Sequence, residues 1–561
     1  MKTLFHLTLV ISLSAAAALA AGASIASPGV YNSASYILST FPNGGIAQGS
    51  IFVIFGSGLG PSTIAYNSNL PYQISLSGTS INVNVNLTSV PCLMFYTSAG
   101  QVAAILPSTT PLGTGTITVT YNGSTSAPAP IKVVKNALGL FTRNQQGSGP
   151  AVVQDSNSNY NSYLNAFQPG ETVTFWGTGL GPISGSDATT PPPGNLPGTT
   201  VTANIGGQNA VVQYAGRSGY AAEDQINVTI PSGVSGCFVP VYFTVNGVTS
   251  NFVTIAVSGS GAICSDPNLF TSADLQNITN YQALRSGNIV LEQYSLAISG
   301  TPIPIAPEEN ENGTASFGSF TAATLLNSIG GLNPEVAISQ GCMVYQYGTG
   351  ESYVDPVLPK GLDAGPAINV TGPNGSKQIA RTSTGTYATQ FVAPTLGGAV
   401  PTDFLVPGAY TLDNGAGGAD VGPFKVSISI PPIVTWSNRS SISTVPRNQP
   451  LTITWTGGPA NGDVYIGGIS PLTANAATNS FSGAGTFICM APSSAGTFTV
   501  PAAVLSALPP SATLSGPGYS IGSGIIVVNS EAGSSQTTVS GLDVFGAGAS
   551  SGDGKIGISF Q

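Results

Sequence analysis

Histidine is all but missing from these 561 residues: the single one is His6. It falls in a leader-like segment, so the processed chain is expected to hold none. That removes Ser-His-Asp and Cys-His catalysis and His-ligated zinc or copper centres together. Charge is nearly as scarce. Asp, Glu, Lys and Arg make up 6% of the chain, Lys and Arg number 13, and the formal net charge is −9. Neutralising a run of phosphates takes a cluster of cations, so nucleic acid is excluded as a partner. An anionic membrane surface is a poor partner for the same reason. Beyond the first twenty residues no stretch approaches the ~18 continuous apolar residues of a spanning helix, so no membrane insertion is expected after leader removal. Residues 25–260 show no convincing amphipathic helix.

The leader itself is legible. Lys2 gives a positive start, Leu4 to Leu13 is largely apolar, and Ala18-Leu19-Ala20 is an A-x-A pattern, so residues 1–20 read as a signal peptide cleaved after Ala20. Ala21-Gly22-Ala23 offers a second site. Export implies a secreted or cell-surface location and permits disulfides. The five cysteines are Cys92, Cys237, Cys264, Cys342 and Cys489. The odd number leaves one over, and Cys92 in Val90-Pro-Cys-Leu-Met-Phe95 reads as a buried free thiol. Cys237, Cys264, Cys342 and Cys489 are the disulfide candidates. Three pairings of the four remain open; Cys237 with Cys264 and Cys342 with Cys489 is the favoured one.

What the chain has in quantity is Gly, at 72 residues, and Pro, at 42, beside 42% hydrophobic residues. This fits many short strands joined by tight turns, not disorder. It also has an internal repeat. Gly49-Ser-Ile-Phe-Val-Ile-Phe-Gly-Ser-Gly-Leu-Gly-Pro61 returns as Gly170-Glu-Thr-Val-Thr-Phe-Trp-Gly-Thr-Gly-Leu-Gly-Pro182. Leu76-x-Gly78-Thr79 and the strand Ile81 to Val85 match Leu196-x-Gly198-Thr199 and Val201 to Ile205. Asn122-Gly123 and Asn246-Gly247 read as type I′ hairpin turns in the two copies. Ile81, Val83 and Val85 alternate with Asn82 and Asn84, as in a half-buried strand.

The expected fold is all-β: tandem Ig-like β-sandwiches in a multidomain extracellular chain, and the Gly-x-Gly-Leu-Gly core of each copy resembles the first strand-turn of IPT/TIG-type Ig-like domains. The expected division is residues 1–20 signal peptide, 25–138 first Ig-like domain, 139–260 its duplicate, 261–355 a β-rich unit, 356–432 an Ig-like domain, and 433–561 another with a Gly/Ser-rich tail, partly loose from Ser530 to Ser551. A short helix is expected within Leu269 to Leu284, and Pro307 to Gly313 as an acidic loop.

The repeat resembles a family of secreted proteins, common among acidobacteria, with a tandem Ig-like region. The resemblance rests on Ile46-x-x-Gly-Ser-Ile-x-x-Ile-Phe-Gly56, Ala137-Leu-Gly-Leu-Phe141, Gly170 to Pro182 and Asp224-Gln-Ile-Asn-Val228. It covers about residues 25–260. It implies a fold and brings no catalytic residues.

Candidate motifs give little chemistry. Gly56 to Gly60 and Gly177 to Gly181 mimic phosphate loops, but Pro61 and Pro182 follow at once where a phosphate-binding helix would begin, so they read as turns. Asp155-Ser-Asn-Ser-Asn159 starts like a calcium loop, yet Tyr160 and Ala166 stand where Gly and Glu are required, so it reads as a polar hairpin tip. Glu308, Glu309 and Glu311 read as solvated loop acids. Glu223-Asp224 faces Ala99-Gly100 in the other copy, which hints at a local role. Trp176, Trp436 and Trp455 read as packing residues, and Tyr160 with Tyr163 as an exposed pair suited to a glycan. No cofactor and no metal is expected. The expected function is a secreted, non-catalytic structural, adhesive or ligand-binding protein, with an extracellular polysaccharide or a cell-surface protein as partner. The alternatives are a carbohydrate-binding module array or a His-independent glycan hydrolase using two carboxylates.

Overall fold

In a computed structural model the chain is described at residues 22–266, 272–278, 283–298, 300, 308–321, 338–348, 360–392, 402–475, 480–516, 518–536 and 538–561. The signal peptide and its cleavage site after Ala20 lie outside these residues. The regular secondary structure of the described chain is almost wholly strand, arranged as tandem Ig-like sandwiches.

The first sandwich packs two sheets. One runs in the order Ser24–Asn32, Ile51–Ser57, Gln101–Ile105, Leu93–Thr97, Ala65–Tyr66; the other has Gly113–Tyr121 between Ala129–Val134 and Thr79–Val85. Alternation decides which faces meet. Ile81, Val83 and Val85 turn inward against Phe52, Ile54, Val102 and Ala104, and all are buried. Each such side chain contributes roughly 1.5–3 kcal/mol of burial. Asn122 and Gly123 have φ of 46° and 83°, and Asn246 and Gly247 have 48° and 86°, as a type I′ turn requires.

The second sandwich repeats this plan with one difference. Gln208–Arg217 passes unbroken from one layer to the other, pairing first with Val201–Ile205 and then with Asp224–Thr229. In the first copy the same path is cut at Pro91 into Thr88–Pro91 and Leu93–Thr97. A proline cannot donate to the ladder, which favours the break there.

Both Gly-rich runs are turns. Leu59 and Leu180 are fully buried at their centres, and no helix follows. The Leu59 amide donates to the carbonyl of Ala99, and the Leu180 amide to the carboxylate of Asp224. The second copy thus uses an acidic side chain where the first uses backbone.

In the remaining chain Thr435–Trp436, Leu451–Thr456 and Thr497–Val500 form a three-stranded sheet and Thr513–Gly516 pairs with Tyr519–Gly522, while most strands join one large sheet. Its order runs Gly341–Gly348, Ser480–Pro492, Asp463–Asn475, Gly524–Gln536, Val544–Phe560, Ala283–Ile298, Glu308–Thr321, Thr386–Val392, then on to Lys425–Ile430. It crosses the positions 355 and 432 without a break in strand order. Ser272–Ile278 is helical, within the stretch expected to hold a short helix.

Two expectations are corrected here. The Gly/Ser-rich tail is not loose, because Val544–Phe560 lies inside the sheet, parallel to Ala283–Ile298 and antiparallel to Gly524–Gln536. Its small residues let neighbours close in: a Cβ at Gly554 would lie 2.6 Å from Leu296 Cδ2. Nor is the acidic segment a loop. Glu308–Thr321 is a strand paired with Ala283–Ile298 from Leu296↔Glu308 onward, and it buries Glu311 completely. Glu311 accepts hydrogen bonds from the amides of Phe404 (2.9 Å) and Leu405 (3.0 Å), which offset part of the cost of burying a carboxylate.

Cys237 is bonded to Cys264, and Cys342 to Cys489, its direct cross-strand neighbour. Cys92 is a buried free thiol.

Candidate functional site

The outer face of the first sheet carries a row of aromatic side chains. In Ile51–Ser57, Phe52 and Ile54 enter the core, so Val53 and Phe55 point the other way. Tyr31 stands opposite Val53, Gln101 opposite Phe55, Ala103 opposite Tyr96, and Tyr66 opposite Tyr96. Register therefore sets Tyr31, Phe55, Tyr96 and Tyr66 on one side of the sheet, with Tyr36 added from the loop above and the rings tilted to one another by 67° (Tyr31–Phe55), 35° (Tyr36–Phe55) and 57° (Tyr66–Tyr96). Ring centroids lie 6.0 Å apart for Tyr31–Phe55, 6.4 Å for Tyr36–Phe55 and 6.0 Å for Tyr66–Tyr96. A bulge between Met94 and Tyr96 brings Phe95 alongside at 6.3 Å, and Tyr72 meets Phe95 edge-on at 5.8 Å.

Part of this row belongs to a small core of Tyr31, Ile37, Leu38, Phe41 and Val53, against which Tyr36 and Phe55 pack. Tyr31 is buried, Tyr36, Phe55 and Tyr96 are half-buried, and Tyr66 is 61% exposed. Gln101 Nε2 donates to the Tyr96 hydroxyl at 2.6 Å and links the two groups of rings. Tyr36 is held at φ 54°, with its amide on the carbonyl of Asn32 at 3.2 Å. Asn32 Oδ1 in turn accepts from the amides of Ala34 and Ser35. A tyrosine in the left-handed region costs energy and persists only where its surroundings fix it. Burial, followed by the nearby hydroxyls of Tyr36 and Tyr66, pushes the Tyr96 phenol up to about 12. The face offers ring faces, hydroxyls and an amide.

The second copy lacks most of this row. Gln154 replaces Tyr31 in the register and Trp176 replaces Phe55, with Trp176 Nε1 donating to Gln154 Oε1 at 2.8 Å. Trp176 is half-buried beside an exposed Tyr160. Tyr163, expected as an exposed partner of Tyr160, is 7% exposed instead and packs on Phe238 at 5.4 Å. Trp436 and Trp455 are buried cross-strand neighbours, with indole N–H groups on Asn438 Oδ1 (2.8 Å) and the Ser493 carbonyl (3.0 Å).

The other candidates serve the framework. Asp155 is exposed and closes its own turn, accepting from the amides of Asn157 and Asn159 at 2.8 Å each. Its hydrogen bond from the Asn159 side chain holds the carboxyl below its ordinary value. Among the described residues no His/Cys/Asp/Glu cluster suits a metal ion. Asp224 is fully buried and ion-paired with Arg217. Arg217 Nη2 donates to Gly181 at 2.7 Å and, across the domain junction, to Gly49 at 2.8 Å. The same junction is closed by Asp187, which accepts from the amide (2.7 Å) and hydroxyl (2.8 Å) of Ser108, and by Thr178, which accepts from the Ile51 amide at 2.9 Å. The local role of Asp224 is therefore to fix one sandwich on the other. Glu309 and Glu311 share a face, but Glu311 is committed to backbone amides, so the two do not form an open carboxylate pair.

Sequence reasoning passed over Tyr36, Phe55, Tyr66 and Tyr96. The available signal was Phe95-Tyr96, two adjacent rings on a strand, together with a Tyr at position 66 outside the repeat's matched blocks.

No protein-family model matches the chain, and no curated protein does. Among solved structures it is similar to domains 5–6 of the S-layer protein SbsC, at 13% identity over 42% of this chain and 96% of that one, with a TM-score of 0.17. It is similar to SGBP-B of the Bacteroides ovatus mixed-linkage glucan utilization locus, in complex with a mixed-linkage heptasaccharide, at 11% identity over 81% and 90% of the two chains (TM-score 0.14). Sidekick-1 immunoglobulin domains 1–5 match at 8% identity over 92% and 100% (TM-score 0.12). Likenesses this slight carry nothing about what the chain binds.

Proposed function

We propose that this is a secreted, non-catalytic protein of the cell exterior that holds an extended polysaccharide on the outer face of its first sandwich. The observation that carries this reading is the partly exposed row Phe55–Tyr96–Tyr66, set on one side of the sheet by strand register, with Tyr36 beside it from a loop. Tyr rings stack on the C–H faces of sugars while their hydroxyls reach the sugar oxygens, and a row of them suits a chain rather than an isolated small molecule. Residues that fill a core need no exposure; Tyr66 has it. Two disulfides favour an oxidising compartment. The likeness to the secreted acidobacterial-type family, on Gly170 to Pro182 and its first copy, belongs to this proposal as well.

A second reading has an observation of its own. Ile64, Leu70 and Ile74 are exposed at 43%, 47% and 53% in the segment beside Tyr66. Exposed apolar groups of this kind favour a protein partner on the cell surface. A pull-down of purified protein against insoluble polysaccharides and against cell envelopes, with and without Ca²⁺, separates the readings. Retention on purified polysaccharide, independent of Ca²⁺, supports the first. Retention on envelopes alone supports the second.

A further inference from the structure

The two copies differ most where the second one builds a cavity. Ile25 and Val30 of the first copy align in register with Leu140 and Val153 of the second, but residues 26–29 join the first pair and residues 141–152 the second, a loop eight residues longer. The fold does not need the extra length, since the first copy closes without it. Yet the added loop is firmly built. Thr142 Oγ1 accepts from the amides of Gln146 (3.2 Å) and Gly147 (3.1 Å), Asn251 Nδ2 donates to Gly147 at 2.8 Å, and Thr254 donates its amide to Gly149 at 2.8 Å.

This loop and the segment Asn161 to Leu164 enclose a cavity of about 340 Å³, with Cys237 and the strand residues Thr254 to Ala256 as its wall. Its lining has no carboxylate and includes the donors Arg143, Asn144 and Ser162. Arg143 lies exposed at the rim. Its Nη1 donates to the carbonyl of Asn161 at 2.9 Å, and it takes part in none of the ion pairs among the described residues. Asn161 is itself buried and fixed by both its amide atoms to the backbone of Ala256. Asn144 Nδ2 is buried without a hydrogen-bond partner in the described structure.

A guanidinium with free N–H groups, set over hydroxyl and amide donors, recognises a planar carboxylate joined to a polyol. The volume is at the small end for ligand sites, which suits one sugar ring. We propose that this cavity of the second sandwich binds a hexuronate, with Arg143 on its carboxylate. The site is separate from the aromatic face and does not depend on it.

Isothermal titration calorimetry of the purified chain tests this with D-glucuronate and D-galacturonate, against D-glucose as the neutral counterpart and acetate as the bare carboxylate. The expected result is binding of at least one hexuronate about tenfold or more tighter than glucose and acetate. Arg143→Gln should lose about tenfold, while Tyr66→Ala, in the other domain, should leave the affinity unchanged. Glucose or acetate binding as tightly as both hexuronates, no loss in Arg143→Gln, or no heat from either hexuronate would overturn the proposal. Because Arg143→Gln and Tyr66→Ala lie in different domains, failure here is distinguishable from failure of the aromatic face.

Discussion

Arg217, in the second sandwich, donates to the carbonyl of Gly49 in the first across 2.8 Å, while its other terminal nitrogen is ion-paired with the buried Asp224. Both side chains are inaccessible to solvent, so the pair is balanced only as long as both members remain. Removing the cation alone strands a buried carboxylate. Arg217→Met should therefore cost about 3–5 kcal/mol in urea denaturation. The double variant Arg217→Met/Asp224→Asn should cost less than the single one. A single variant with near-native stability would show that the junction does not rest on this pair.

Glu311 gives the fold a pH dependence. Burial pushes its pKa up, against the pull of the Leu405 and Phe404 amides. An acid whose folded pKa lies above its unfolded one stabilises the fold fully below the unfolded value, and that contribution is lost as pH rises through the folded value. As pH rises above the ordinary carboxylate value of about 4.3, thermal stability should fall in the native chain and fall less steeply in Glu311→Gln. Equal slopes in the two proteins would contradict this.

Cys92 is buried and burial raises its thiol pKa far above the ordinary value, so it should resist thiol reagents. Native protein should show no reaction with an aromatic disulfide reagent. Denatured but unreduced protein should show one thiol per chain, and three or more would mean that a disulfide is not formed.

The tail strand is packed too closely for added atoms. A Cβ on Gly524 would lie 2.5 Å from the carbonyl oxygen of Ile558, a backbone atom that cannot swing aside. Gly524→Ala should destabilise by about 1–3 kcal/mol by calorimetry. No change would place this stretch outside the sheet.

The fold was largely legible in the sequence because the signals were local and doubled. Alternation in Ile81 to Val85, the paired Asn-Gly turns and Pro61 or Pro182 after the Gly-rich runs each name a strand or a turn without reference to anything distant. Val544–Phe560 failed because Gly and Ser weaken isolated strands, and only distant neighbours such as Leu296 supply the packing. Glu311 failed likewise: its satisfying amides come from residues 404 and 405. The aromatic row is a product of cross-strand register, with Tyr31, Phe55, Tyr66 and Tyr96 drawn from four strands. Such a surface has no linear motif.

The central claim is tested most directly by a depletion isotherm of the purified protein on insoluble β- and α-linked glucans, comparing the native chain with Tyr66→Ala and Tyr66→Ala/Tyr96→Ala. Loss of one stacked ring should weaken binding by about tenfold, and loss of both by more, with unchanged thermal stability for Tyr66→Ala. Undiminished binding by the double variant, or no binding of the native chain to any polysaccharide, would contradict the account.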